Sequence, residues 1–165
     1  MLRNTFHAIA ILATATMLAA CSTFDCPLNN KVYASVKLAS GQLDDTLSVS
    51  IPRSMGEDES DTVVVNRLTE TDSLSLPMSY SHDEDLYLLH FKQKDTGAET
   101  TDSMWVKKTN EPHFESVDCS PAMFHTIGGV RYTRHNIDSI SINNNKVTYN
   151  DAKAHLLLYL KHSND

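Results

Sequence analysis

After its first twenty residues this sequence has no apolar run approaching the length of a membrane span, and it is short of basic residues, glycine and tryptophan. The one long apolar run, Ala8 to Ala20, follows Arg3 and is broken only by Thr14 and Thr16. Its thirteen residues would rise about 20 Å as a helix, against a hydrocarbon core of roughly 30 Å, so it reads as a secretory leader and not as a span. Taking the leader away leaves residues 21–165 with 13 basic against 21 acidic side chains, a net charge of −8. That balance excludes nucleic acid, which needs a basic footprint, and adsorption to an anionic membrane by charge alone. The five glycines form no phosphate-cradling loop and no G-x-S-x-G elbow, and neither H-E-x-x-H nor C-x-x-C occurs. With no triad, metal motif or phosphate loop to which roles can be assigned, the expectation is a protein that is not an enzyme and carries no cofactor.

What is present begins at the end of the leader. Leu18-Ala19-Ala20-Cys21 resembles the lipobox of bacterial lipoproteins at every position. The resemblance implies a diacylglycerol thioether on Cys21, cleavage before it and acylation of the new amino terminus. Acyl chains held at about 0.8 kcal/mol per buried methylene exceed the marginal grip of a single myristoyl chain. Ser22, in place of an aspartate after the lipid cysteine, implies the outer membrane under the usual sorting rule of Gram-negative lipoproteins.

Three cysteines would be an odd number for an exported protein, but lipidation of Cys21 removes one. Cys26 and Cys119 are then the available pair, and an oxidising envelope favours joining them. Closing so long a loop contributes on the order of 4 to 5 kcal/mol in the chain-entropy picture. Cys119 as a nucleophile, with His113 and His125 six residues to either side, is the rival. It lacks any visible source of the lowered pKa that a catalytic cysteine requires.

From Lys31 onward the chain is a series of short alternating runs between polar turns. "DTLSVSI" puts Leu47, Val49 and Ile51 on one face, and "DSLSLPM" does so with Leu74, Leu76 and Met78. Further runs are 32–38, 63–65, 86–91, 104–106, 140–142, 147–149 and 156–160. Period-two alternation at this spacing, without a long helical period, predicts an all-β fold: an antiparallel β-sandwich, immunoglobulin-like in general architecture. In "SISINNNKVTYN" a turn at Asn144-Asn145 would make a hairpin pairing Ile142 with Val147 and Ile140 with Tyr149. The segment 113–129 has little alternation and is expected to form a strand end, a turn or helical turn after Pro121, and a return. The expected organisation is a signal peptide over 1–20, a lipidated tether over 21–30 and a single sandwich over 31–165.

Functional motifs are sparse. His113 and Glu115, joined by His125 or His135, would give nitrogen and oxygen ligands of the kind zinc takes, though without a metal-binding spacing. The acidic loop from Glu57 to Asp61 offers hard carboxylate oxygens to calcium, but not in an EF-hand pattern. The acidic stretches 54–61 and 81–85 are otherwise read as solvated loops. Trp105 is expected to pack on the sheet, with sugar stacking as the alternative. A repeated Asp, then Ser or Thr, then apolar pattern ends at Leu47, Val63, Leu74, Met104 and Ile140. It reads as a turn-plus-strand start. It also resembles the O-glycan acceptor pattern of Bacteroidota-type envelope proteins, with Thr46, Thr62, Ser73, Ser103 and Ser139 as acceptors.

"CSTFDCPLNN" after the lipobox, "KKTNEPHFESVDCSPAMFHTI" and "HNIDSISINNNKVTYN" together resemble an uncharacterised family of small Bacteroidota-type envelope lipoproteins, a domain of unknown function. The resemblance implies no catalytic residues. The expected function is a non-enzymatic, membrane-tethered lipoprotein, a protein-interaction or structural module whose partner is an outer-membrane β-barrel or another envelope protein. Metal or glycan binding at the surface is the alternative. A thiol titration on unfolded, unreduced protein should find no reactive cysteine, and two thiols would refute the Cys26–Cys119 pairing.

Overall fold

A computed structural model describes Cys26 and residues 31–53, 61–149 and 151–161. The leader, Cys21 and all but the last residue of the Glu57–Asp61 calcium candidate lie outside these residues. The described chain forms ten strands: β1 (Tyr33–Leu38), β2 (Thr46–Ile51), β3 (Thr62–Leu68), β4 (Ser73–Pro77), β5 (Glu84–Lys92), β6 (Glu99–His113), β7 (Ala122–Tyr132), β8 (Ile137–Ile142), β9 (Lys146–Val147) and β10 (Leu156–Leu160). No described residue is helical. One sheet runs β4-β1-β10-β8 and the other β3-β2-β5-β6-β7-β9. All neighbours are antiparallel except β1 and β10, which pair in parallel from Val36↔Leu156 to Leu38↔Leu158.

The alternation in sequence produces a sandwich because each strand has one apolar face to bury. Ala34, Val36 and Leu38 of β1 and Leu74 and Leu76 of β4 point inward from the smaller sheet. They share one core with Leu47 and Val49 of β2, Tyr87, Leu89 and Phe91 of β5, and Met104 and Val106 of β6. At 1.5 to 3 kcal/mol or so per buried large apolar side chain, these contacts are the main term favouring the fold. In β2 the alternation slips: the register with β3 shifts between Val49 and Ser50, so Ser50 is buried and Ile51 is only half-buried.

The segment around Pro121 forms a long strand in place of the expected helical turn. Lys107 faces Gly129 and Lys108 faces Ile127, which leaves Gly128 unpaired as a bulge. The bulge reverses the phase of burial. Before it His125 and Ile127 point into the core, and after it Val130 and Tyr132 do. A one-residue phase change hides a strand from any test for strict alternation.

The Asn144-Asn145 hairpin does not form. Ile142 faces Leu156 and Ile140 faces Leu158 across β8–β10, while Val147 faces His125 across β7–β9 in the other sheet. The asparagines serve a change of sheet. The amides of Asn143 and Asn144 donate to the His155 carbonyl, the Ile127 amide donates to the Asn145 carbonyl, and the Asn144 side chain accepts from the Lys146 amide. The "LLLYL" run of β10 offers Ile140 and Ile142 a more apolar neighbour than the two-residue β9 does. Tyr149, expected in a strand, lies beyond β9.

Asp102 also departs from expectation. Asp45, Asp61 and Asp72 each precede the first residue of a strand, but Asp138 lies inside β8 and Asp102 inside β6, where it is fully buried. Its carboxylate accepts hydrogen bonds from the Thr133 hydroxyl (2.6 Å) and from the amides of His135 (2.8 Å), Asn136 (2.7 Å) and Ile137 (3.1 Å). These groups belong to the connection that leaves β7 and enters β8 in the opposite sheet. Burial by itself would raise the Asp102 pKa, but the hydrogen bonds outweigh it and hold the group below the ordinary carboxylate value. Its contribution is therefore present above a pH of about 4 and is lost as pH falls through the folded-state value. Asp102→Ala, which strands three amides, should lower the unfolding free energy by about 2 to 4 kcal/mol in denaturant titrations. A loss near zero would remove Asp102 as the clamp of this crossover.

Candidate functional site at the disulfide end

The Cys26–Cys119 disulfide forms, with Cα atoms 5.5 Å apart and a sequence separation of 93. Engaged in this bond, Cys119 cannot serve as a nucleophile. It lies in the loop between β6 and β7. The strand ends that flank this loop carry aromatic side chains. His113 stacks on Phe124 at 4.2 Å between ring centres, and Tyr149 meets Phe124 edge-on at 5.2 Å. Tyr33 and Tyr149 line one shallow depression. Burial, with Tyr33 and Tyr149 nearby, raises the Tyr80 phenol pKa. The outer members of the group are open to solvent: Tyr33 is 41% exposed, Tyr80 44%, Phe114 62% and Val117 97%.

Beneath this rim lies a buried polar cluster. The fully enclosed Lys108 ammonium donates to the carbonyls of Ser79 (2.7 Å) and His82 and to Asn110 Oδ1 (3.0 Å), and lies 3.5 Å from Asp85 Oδ2. Asp85 also accepts from the Ser79 amide at 3.1 Å, and the Tyr87 hydroxyl donates to the Pro77 carbonyl at 2.7 Å. The cluster thus secures the 78–83 connection between sheets. It corrects the reading of 81–85 as a wholly solvated loop, since Asp85 is buried. Burial raises the Asp85 pKa against the pull of Lys108.

A second polar chain runs Ser35, His155, Asp151. His155 Nδ1 lies 2.9 Å from Ser35 Oγ, and Nε2 lies 2.9 Å from Asp151 Oδ2. The residue types are those of a nucleophile, base and acid. The hydrogen bonding is structural, however. The Ser35 amide donates to Nδ1 at 2.8 Å, which places the imidazole proton on Nε2 and occupies the lone pair a general base would use. The His155 amide donates in return to the Ser35 carbonyl at 2.9 Å, closing the junction where parallel β1 and β10 meet. Asp151 is held in turn by the Thr148 amide (2.6 Å) and hydroxyl (3.0 Å).

The proposed metal ligands are not gathered into a site. His113 Nε2 and Glu115 Oε1 are 3.3 Å apart. His125 follows Phe124, the ring on which His113 stacks, so strand alternation sends it to the opposite face of the sheet. There its Nδ1 donates to Asn110 Oδ1 at 2.8 Å. His135 is exposed beside Asp102, at the other end of β6. No group of three or more His, Cys, Asp or Glu able to hold a metal occurs among the described residues. Of the proposed glycan acceptors, Thr62 and Ser73 are exposed, while Thr46, Ser103 and Ser139 are half-buried. Trp105 is half-buried on the sheet, with the Arg131 guanidinium 5.1 Å above its ring. Lys108, Asp85, Asp102 and the Ser35–His155–Asp151 chain carried no warning in sequence beyond the Asp-x-x-x-His spacing of 151 and 155.

These features define an all-β sandwich of two antiparallel-dominated sheets, closed by one long-range disulfide. The chain belongs to the family of unknown function DUF6452, whose model matches residues 46–160. That span runs from the first residue of β2 to the last of β10 and includes Cys119 but not Cys26. No curated protein and no solved structure matches the chain.

His125 gives the cluster a pH dependence. It is 2% exposed, its Nε2 has no partner among the described residues, and burial, with Lys108 nearby, lowers its pKa from 6.5 to about 4. Between those values the unfolded chain binds the proton that the folded chain refuses. Stability from this group is complete above pH 6.5 and falls toward pH 4, by roughly 3 kcal/mol in all. Asp85 acts with the opposite sign, so the difference between wild type and His125→Gln isolates the histidine. Melting curves across this range should show the variant losing less stability on acidification than wild type, and parallel losses would refute the assignment.

Proposed function

We propose that this chain is a lipid-anchored lipoprotein of the outer membrane, of the Bacteroidota-type class, that acts without catalysis as a protein-interaction or structural module. The observation that carries the reading is the position of the disulfide. It fastens the folded sandwich at Cys26, five residues beyond the lipobox cysteine Cys21. A domain so close to its anchor works at the membrane surface and not at a distance from it. The polar clusters support a non-catalytic role, because Lys108, Asp85 and His155 are committed to holding connections between strands.

The module's partner is an envelope protein, a β-barrel among them, and the edge of β3 is the surface suited to it. Among the described residues β3 closes one side of the larger sheet and presents Val63 at 57% exposure, and an unpaired strand edge is a template for strand addition. Cys21→Ala should lose the acyl mass and move from the membrane to the soluble fraction. A photo-crosslinker at Val63, installed in cells, should recover an adduct with a second envelope protein. Retention of the alanine variant in the membrane would overturn the anchor, and recovery of monomer alone would overturn the partner.

A further inference from the structure

The exposed aromatic rim and the disulfide lie at one end of the sandwich, and their chemistry favours a particular neighbour. Val117 is almost wholly exposed and Phe114 largely so, on the loop that carries Cys119. Tyr33 and Tyr80, also exposed, stand beside Tyr149, whose ring meets Phe124 beneath His113. Apolar side chains displayed together at one end of a soluble fold mark a contact surface, and tyrosine rings with wet hydroxyls suit the boundary between water and hydrocarbon.

Chain length selects the occupant. From Cys21 to Cys26 is five residues, which reach at most about 18 Å when fully extended. The disulfide transfers that limit to the 114–121 loop, because Cys26 and Cys119 have Cα atoms 5.5 Å apart. A lipidated Cys21 therefore holds this loop within a short reach of the bilayer, whichever way the sandwich leans. We infer that the disulfide end is a membrane-seating surface: Phe114 and Val117 insert at the level of the headgroups and the tyrosines border them, so the sandwich stands on its disulfide end. The contact is apolar and not electrostatic. Glu115 and Asp118 on the same loop, with a net charge of −8 after the leader, suit zwitterionic and not anionic lipid. β10 runs parallel to β1, so Tyr159, at its far end, is carried away from the membrane.

This inference rests on lipidation of Cys21, and its test separates the two. The full-length lipidated protein, with Trp105→Phe to remove the native fluorophore and Val117→Trp to add one at the loop, is reconstituted in phosphatidylethanolamine–phosphatidylcholine vesicles containing brominated acyl chains. The expected result is a blue shift and strong bromine quenching, insensitive to salt. Tyr159→Trp in the same background should remain in water and unquenched. Intact mass without acyl chains would overturn the anchor and this inference with it. Acyl mass present, with the V117W side chain unquenched, would overturn the membrane seat alone. So would emission shielded only when a co-purifying protein is added, since that makes the rim a protein contact.

Discussion

The structure depends on carrying a polar backbone repeatedly across the rim of an apolar core. Only the β2–β3, β5–β6 and β6–β7 connections stay within a sheet, and every other one changes sheets. A backbone group taken out of water without a partner costs about as much as a lost hydrogen bond. Each crossing therefore needs donors and acceptors supplied locally, and four of the six buried polar side chains among the described residues, Asp85, Asp102, Lys108 and His155, stand where such crossings occur. Asp102 receives the β7–β8 crossing, Lys108 and Asp85 receive the β4–β5 crossing, and His155 with Asp151 receives the β9–β10 crossing.

The same requirement explains what could be read from the sequence. The alternating runs of β1, β2, β4, β5 and β10 announced strands because side-chain direction follows directly from pleat. The β7 strand was hidden by Gly128, whose bulge reverses the phase of burial within one strand. Ile140, Ile142, Val147 and Tyr149 made an acceptable local hairpin, yet β10 competes for the isoleucines from more than a dozen residues away, and no local pattern reports that competition. The buried charges were illegible for a related reason. Asp102 shares its Asp-Ser context with Asp72, which stands just before a strand, and only the tertiary position of the β7–β8 crossing distinguishes them. Cys26 and Cys119 were legible because removing Cys21 from the count left a single intramolecular pair.

Chemical residues alone would suggest more activity than the structure supports. Ser35, His155 and Asp151 have the right identities and nearly the right spacing for acyl transfer, but proton placement decides the matter. An imidazole whose Nδ1 accepts a backbone amide is a poor base toward the hydroxyl beside it. The chain instead links β1 to β10, the one parallel pair among the described residues, whose slanted hydrogen bonds are slightly weaker per residue than an antiparallel ladder. Lys108 follows the same logic. A buried ammonium is costly to desolvate, and the contacts that offset this cost here include two carbonyls of the 78–83 connection, so the charge is tied to one placement of that segment.

The two ends of the sandwich consequently differ in kind. Where Asp102 holds the β7–β8 crossing, polar groups turn inward and are used up. At the disulfide end the polar cluster lies beneath the surface, and what reaches solvent includes Phe114, Val117, Tyr33 and Tyr80. Hydrophobic side chains exposed singly need no explanation, but the placement of four of the seven large ones among the described residues toward the end that carries the Cys26–Cys119 disulfide does. A cross-link closing 93 residues stabilises from any position that joins distant parts of the chain. Its placement also joins the amino-terminal Cys26 to the loop between β6 and β7, so on the proposed reading of Cys21 as a lipid anchor it would decide which end of the fold the anchor holds. If Cys21 carries lipid as proposed, the position of Cys26 would set orientation as well as stability, because the disulfide ties the 114–121 loop to a residue five positions from the anchor.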